Sequence, residues 1–191
     1  MNRQRSFKEY RTIDLCLLAG LLIIFEFIII KVSRSILFRD QPFTVSLAAS
    51  ITTLAYMRWG YRGGIHAVLA GFVYCLFGGG APFHYAIYMA GNLLSLLAVV
   101  LLEKLGYEKV RTDRFLKLAF PLLVIFLMHT GRAAVAVLIG ASPAAAFGFF
   151  TTDVLSDLFT LVIIWIASRT DGLYENQRHY LIRIHEEEKE P

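Results

Sequence analysis

The apolar run between Leu15 and Ile30 constrains this chain more than any other feature, because Glu26 is the only charged residue in it. A helix rises about 1.5 Å per residue, so a segment of about 20 residues crosses a hydrocarbon core of about 30 Å. The whole chain has a similar character: 57% of its residues are hydrophobic and 18% are charged, against about 25% charged residues in soluble domains. The sequence therefore predicts an integral membrane protein surrounded by the lipid bilayer.

Glycine, proline and charged residues divide the rest of the chain into further apolar segments. The pattern predicts an all-α membrane protein with six transmembrane helices. The predicted spans are residues 12–33, 43–57, 65–77, 83–103, 115–139 and 144–168. They form a transmembrane domain over residues 12–168, between a basic N-terminus (1–11) and a polar tail (169–191). The second span is short and rich in Ser, Ala and Thr, so we expect it to pack among the other helices instead of facing lipid.

The lysines and arginines predict the orientation of these helices. Four lie in the N-terminus, two between the second and third spans, four between the fourth and fifth, and four in the tail. The loops after the third and fifth spans have none. Because cytoplasmic loops carry the excess of such residues, both termini are predicted to be cytoplasmic. The basic residues at the cytoplasmic ends of the helices then account for the net charge of +4. The sequence contains no basic and aromatic stretch typical of a nucleic-acid-binding protein.

Ionisable residues inside the predicted spans are candidates for function, since such groups are costly to bury in a membrane. They are Glu26, His129, Arg132, Asp153 and Asp157. Arg132 and Asp153 are predicted at similar depths on antiparallel helices, so a salt bridge between them would join these helices. Alternatively, Arg132 reaches into an outward-facing cavity and binds a carboxylate or phosphate. Both alternatives remain open at this stage, as does the role of Glu26.

Polar and aromatic residues recur at helical spacing on the fourth, fifth and sixth spans, and we expect these faces to converge on one pocket open to the outside. The predicted substrate-binding residues are Arg39, His84, Tyr85, Tyr88, Asn92, His129, Arg132, Phe147, Thr151 and Asp153. An aromatic belt at the membrane interface would also account for His84 and its two tyrosine neighbours. Hydrogen bonding between helices would account for Asn92.

No motif in the sequence announces catalysis or nucleotide binding. The chain contains no G-x-x-x-x-G-K-[ST], H-E-x-x-H or G-x-S-x-G pattern, each of which marks a known catalytic or phosphate-binding geometry. We therefore predict no enzymatic activity, no cofactor and no metal site. A weaker alternative is a membrane enzyme that uses Asp153, Asp157 and His129.

Several local features connect this chain with a known family. Pro42 precedes the short second span, which ends in Arg58-Trp59-Gly60, and Gly63-Gly64 opens the third. The loop Gly78-Gly79-Gly80-Ala81-Pro82 then leads to Tyr85. With six predicted helices in 191 residues, the segment from about residue 10 to residue 170 resembles the substrate-binding (S) components of energy-coupling factor (ECF) transporters.

The resemblance implies an ABC-type importer subunit in the bacterial plasma membrane. Such a subunit captures a water-soluble vitamin near the extracellular face and delivers it through a transmembrane scaffold subunit bound to two ATPase subunits. The resemblance also implies that small residues on the first span dock onto the scaffold, and Cys16, Ala19 and Gly20 are the nearest match. The competing prediction is a structural membrane protein of an MreD-like cell-shape complex, which has a similar size and helix count but no small-molecule pocket.

Overall fold

The computed structural model describes residues 6–37 and 45–187, and every regular element in those ranges is a helix. The α-helices are α1 (Phe7–Val32), α2 (Ala48–Trp59), α3 (Gly64–Gly78), α4 (Pro82–Asn92), α5 (Leu96–Leu105), α6 (Tyr107–Thr112), α7 (Arg114–Leu138), α8 (Pro143–Thr152), α9 (Val154–Ala167) and α10 (Gln177–Glu187). A π-helical turn, Ser33–Leu37, continues α1. Short 3₁₀ turns, Gly60–Gly63 and Leu93–Ser95, join α2 to α3 and α4 to α5. The predicted all-helical class is confirmed for the described ranges.

Three helical segments in these ranges are long and apolar enough to cross a membrane. They are Phe7–Val32, Pro82–Leu105 and Arg114–Leu138. The pair α8 and α9, bent by about 40° at its junction, is a fourth candidate. In contrast, α2 and α3 have 12 and 15 residues, or about 18 and 22 Å at the helical rise, which is shorter than a hydrocarbon core. Length and composition thus support three or four spans, and the six crossings and cytoplasmic termini remain predictions.

The polarity of the molecule is opposite to that of a soluble helical protein. The surface of α1 is apolar over most of its length, with Leu17 60% and Ile24 57% exposed. Polar side chains are instead buried between helices, among them Ser50, Thr52, Thr53, His66, Asn92 and Thr160. Helices in lipid associate through polar and small residues, because apolar groups gain little by leaving one apolar surrounding for another. This distribution agrees with a membrane protein.

Helix α2 is enclosed by the other helices. Every residue from position 50 to position 59 is buried, and Tyr56 and Met57 belong to the larger apolar core, which also includes Val99 and Val124. Two hydrogen bonds between helices fix its position: Ser50 Oγ lies 3.0 Å from Thr160 Oγ1, and Tyr56 Oη lies 2.7 Å from Ser95 Oγ. The expectation that this short polar segment packs among other helices agrees with the structure.

Helices α4 and α7 approach each other most closely at two glycines. A Cβ atom at position 131 would lie 2.0 Å from the carbonyl oxygen of Gly91, and one at position 91 would lie 2.6 Å from the Cα atom of Arg132. Small residues at a membrane helix interface allow the backbones to come together in this way. The contact has a consequence for function, since it sets Asn92 beside Arg132.

We expect Gly131→Ala to destabilise the protein, because the new methyl group must push α4 and α7 apart. Overpacking of this kind costs about 1–3 kcal/mol. The matched control is Gly148→Ala, since a Cβ at that helical position meets nothing within 4 Å. Thermal unfolding in detergent micelles measures both variants. Equal unfolding temperatures for Gly131→Ala and Gly148→Ala would contradict the close helix contact.

Candidate functional site

The candidate site lies where α7 faces the junction of α8 and α9. Two side chains at the end of α8 form hydrogen bonds back to its backbone. The hydroxyl groups of Thr151 and Thr152 both donate to the carbonyl oxygen of Gly148, at 3.1 and 3.0 Å. Hydroxyls that bond back along a helix compete with its backbone hydrogen bonds and often bend it. Asp153 stands at the break itself, between the two helices. A discontinuous helix inside a membrane protein exposes backbone groups where they line a cavity.

The guanidinium of Arg132 has three partners outside its own helix. Its Nε donates to Asn92 Oδ1 at 2.7 Å, and its Nη1 donates to Asp153 Oδ2 at 2.8 Å. The ring of Tyr88 covers one face, with its centroid 4.7 Å from Cζ. The residue as a whole is 6% exposed. Of the two alternatives left open by the sequence, the salt bridge between Arg132 and Asp153 is therefore present.

One turn earlier on α7, His129 makes a second polar contact with the same region of α8 and α9. Its Nε2 lies 3.1 Å from Asp157 Oδ1, and its Nδ1 lies 4.0 Å from Asp153 Oδ2. The imidazole thus stands between two carboxylates, and Asp153 is shared with Arg132. Among the described residues, no group of three or more His, Cys, Asp or Glu side chains is arranged to hold a metal ion.

Glu26 has a structural role that the sequence left undecided. Its side chain is fully buried, and Oε2 accepts a hydrogen bond from the backbone nitrogen of Leu47 at 2.9 Å. The neighbouring amide of Ser46 donates to Ser156 Oγ at 3.0 Å. These residues immediately precede α2, so α1 and α9 supply acceptors for amide groups at the start of that helix, which have no partner within it. Glu26 thereby fixes the beginning of α2 beside the site.

Two cavities meet at a pair of stacked tyrosines. The ring centroids of Tyr74 and Tyr88 lie 4.7 Å apart, and both residues line both cavities. The inner cavity measures about 20 Å³ and is lined also by Ser46, His129, Arg132 and Asp153. Its volume is enough for about one water molecule. The outer cavity measures about 190 Å³ and is lined also by Gly80 and His84, at the end of the bundle opposite to Trp59.

The structure brings together six of the predicted binding residues and leaves others apart. Tyr88, His129, Arg132 and Asp153 line the inner cavity, Asn92 supports Arg132 from behind, and His84 lines the outer cavity. The remaining predicted residues in the described ranges line neither cavity: Tyr85 packs on Phe72, Phe147 stacks on Phe150, and the Thr151 hydroxyl is used within α8. Arg39 lies outside the described residues.

Tyr74 and Ser46 are among the residues of the site that sequence reasoning missed. Tyr74 is half of the tyrosine stack, and its position in an apolar third span was the available signal, since a tyrosine inside such a segment usually finds a polar partner. Ser46 lines the inner cavity and was taken as an ordinary small residue of the second span. Its role arises from the contact with Ser156, which is 110 residues away in the chain, so no local pattern reveals it.

Comparison with known proteins adds no identity to these observations. The chain matches no family model, no curated protein and no solved structure. The described site is therefore characterised by its own chemistry: two carboxyl groups, one guanidinium, one imidazole and two tyrosine rings line the inner cavity.

Removing either member of the buried ion pair should destabilise the protein strongly. An isolated buried charge costs about 3–5 kcal/mol when its partner is removed, so Arg132→Gln and Asp153→Asn should each lower the unfolding temperature. The double variant should recover part of the loss, because neither charge is then left unpaired. Denaturant unfolding in micelles of the two single variants and the double variant measures the coupling. If the losses of stability in the two single variants simply add in the double variant, the interaction between Arg132 and Asp153 contributes nothing to stability.

Proposed function

We propose that this chain is the substrate-capture subunit of an ECF-type importer, binding a water-soluble vitamin or related small molecule. The observation that carries the proposal is the polar inner cavity at the Tyr74–Tyr88 stack, which separates it from a larger outer cavity. Charged side chains inside a membrane protein are costly in free energy to bury, so such a cluster is a candidate for a functional site. On this proposal the protein has six spans, and the two cavities face the outside of the cell.

The size of the cavities indicates how a ligand enters. The inner cavity is too small for a vitamin, and the outer one of about 190 Å³ is below the usual range for ligand pockets, about 300–1,000 Å³. Binding therefore requires the two tyrosine rings to separate. A flat ring inserted between Tyr74 and Tyr88 would replace their mutual stacking with two ring contacts and would join the cavities into one pocket.

The charges of the site favour a neutral or cationic ligand. Arg132 already donates to Asp153 and Asn92 and is covered by Tyr88, so a ligand carboxylate would have to displace these partners. Asp157 has His129 as its partner and is the more exposed of the two aspartates. A ligand amine or ring cation can approach Asp157 without breaking the Arg132 contacts. This interpretation differs from the alternative considered from sequence, in which Arg132 binds a carboxylate or phosphate of the ligand.

The proposed partners are a transmembrane scaffold subunit and two ATPase subunits. The support is the small-residue face of α1: Cys16 is exposed, Ala19 and Gly20 are half-buried, and a Cβ at position 20 meets nothing within 4 Å. A partner helix can therefore approach the α1 backbone closely at this point. The apolar surface around these residues would face the scaffold or lipid.

Ligand binding should be detectable with a small panel of probes. We expect the cationic ring compounds thiamine and pyridoxamine to raise the unfolding temperature in micelles more than the anions biotin and pantothenate. A ligand at 100 times its Kd adds about 2.7 kcal/mol to the free energy of unfolding. No stabilisation by any of the four, or by riboflavin and nicotinamide as neutral ring probes, would contradict the proposed function.

The tyrosine stack can be tested with a matched pair of variants. Tyr74→Ala should weaken binding of the probe that stabilises best by about twofold to tenfold, since an aromatic pair contributes about 0.5–1.5 kcal/mol. Tyr85→Ala is the control, because Tyr85 packs on Phe72 outside both cavities. Isothermal titration of both variants gives the two dissociation constants. Equal losses for Tyr74 and Tyr85 would place the ligand elsewhere.

The scaffold contact can be tested separately from ligand binding. Gly20→Leu should abolish co-purification with the scaffold and ATPase subunits encoded in the same genome, since the larger side chain fills the space left for the partner helix. Gly148→Leu is the control, because position 148 is equally open and lies on α8. Both variants should keep the affinity for the probe. Retention of the complex by Gly20→Leu would contradict docking at this face.

A further inference from the structure

A second cavity lies at the opposite end of the bundle, where α1 begins and α2 and α5 end. It measures about 380 Å³, and its lining includes Trp59, Tyr61, Arg62, Glu103, Tyr107 and Arg178. Arg11 and Arg58 also line it. It shares no residue with the two cavities of the candidate site, and the proposed function does not use it.

The arginines that line this cavity fall into two groups. Arg58 is committed to the protein: it forms a bidentate pair with Asp14, at 2.6 and 2.9 Å, and its Nη1 donates to the carbonyl oxygen of Gly172 at 2.7 Å. Within the described ranges, by contrast, the side chains of Arg11, Arg62 and Arg178 have no hydrogen-bond or ion-pair partner. Arg11 is half-buried, so Arg62 and Arg178 are the two exposed and unpaired guanidinium groups at the rim of the cavity.

The other lining groups suit an anion with an apolar attachment. Trp59 donates its indole N–H to Asp14, so its ring is held in place as one wall. Burial, together with the neighbouring Glu103, raises the pKa of Tyr107 to about 12. Its phenol is therefore protonated at neutral pH and can donate a hydrogen bond. The aromatic side chains of Phe7 and Tyr61 on the rim are 40% and 47% exposed, as is typical of residues at the level of lipid headgroups.

We propose that this cavity binds the phosphate group of an anionic membrane phospholipid, with Arg62 and Arg178 as the charged ligands. Guanidinium groups bind phosphate oxygens through paired hydrogen bonds. The position favours a lipid over a soluble phosphate, because the exposed aromatic side chains of Phe7 and Tyr61 line the cavity. The acyl chains of the lipid can lie along these side chains while its headgroup enters the cavity. Basic pockets beside membrane helices recognise anionic headgroups in this manner.

The affinity test uses the full-length protein in dodecyl maltoside micelles. Dioleoyl phosphatidylglycerol should raise the unfolding temperature more than dioleoyl phosphatidylcholine at equal mole fraction. Arg62→Gln and Arg178→Gln should each weaken the effect of phosphatidylglycerol about fivefold in the lipid concentration required, the size expected for one arginine near a lipid surface. Arg114→Gln is the matched control, since Arg114 is an exposed arginine at the same end of the bundle but does not line the cavity.

Several outcomes would overturn the proposal. Equal responses to the two lipids would exclude recognition of the anionic headgroup, and an equal loss in Arg114→Gln would indicate diffuse charge attraction instead of a site. Competition by glycerophosphoglycerol or inorganic phosphate at the same concentration as the lipid would assign the cavity to a soluble phosphate.

A second measurement needs no arginine variant. The chain has two tryptophans, so in Trp165→Phe the remaining fluorescence comes from Trp59. Phosphatidylglycerol brominated near the start of its acyl chains should quench this fluorescence at lower mole fraction than brominated phosphatidylcholine. Equal quenching by the two brominated lipids would contradict the site.

Discussion

One buried guanidinium stands at the centre of the polar contacts between the helices of this protein. Arg132 on α7 donates to Asn92 at the end of α4 and to Asp153 between α8 and α9. Asn92 in turn donates through Nδ2 to the carbonyl oxygen of Ala67 on α3, at 2.9 Å. A charge in a surrounding of low polarity is stable only when its hydrogen-bonding capacity is used. Arg132 and Asn92 together therefore connect α3, α4 and α7 with the junction of α8 and α9.

The glycine contact and the ion pair depend on each other. Arg132 reaches Asn92 because Gly91 and Gly131, the residues just before each of them, let the two backbones touch. The bend at Asp153 then brings a carboxylate to the opposite side of the guanidinium. The inner cavity is the small space left over by this arrangement, and the tyrosine stack closes it. The residues that surround the inner cavity are therefore also residues that hold the helices together.

The sequence predicted what depends on local pattern and missed what depends on distant contacts. The apolar runs and their breaks predicted the helical class, and spacing on the fifth span predicted that His129 and Arg132 share a face. Depth along antiparallel helices made a salt bridge between Arg132 and Asp153 one of two alternatives, and the structure contains it. The partner of Glu26 could not be predicted in this way, because its carboxylate accepts a hydrogen bond from a backbone amide 21 residues away in the sequence. Asp14 was overlooked as well, since its partners Arg58 and Trp59 are placed by the fold.

The enclosure of α2 has a consequence for how this protein is made. A twelve-residue helix with hydroxyl groups along it gains too little from lipid to leave the translocation channel alone. On the proposed six-span topology, its entry into the bilayer is therefore coupled to that of its neighbours in the sequence, α1 and α3. Thr160 and Ser156, which bond Ser50 and Ser46, are synthesised more than 100 residues later. These hydrogen bonds, and the site beside them, are therefore completed only after α9 has been synthesised.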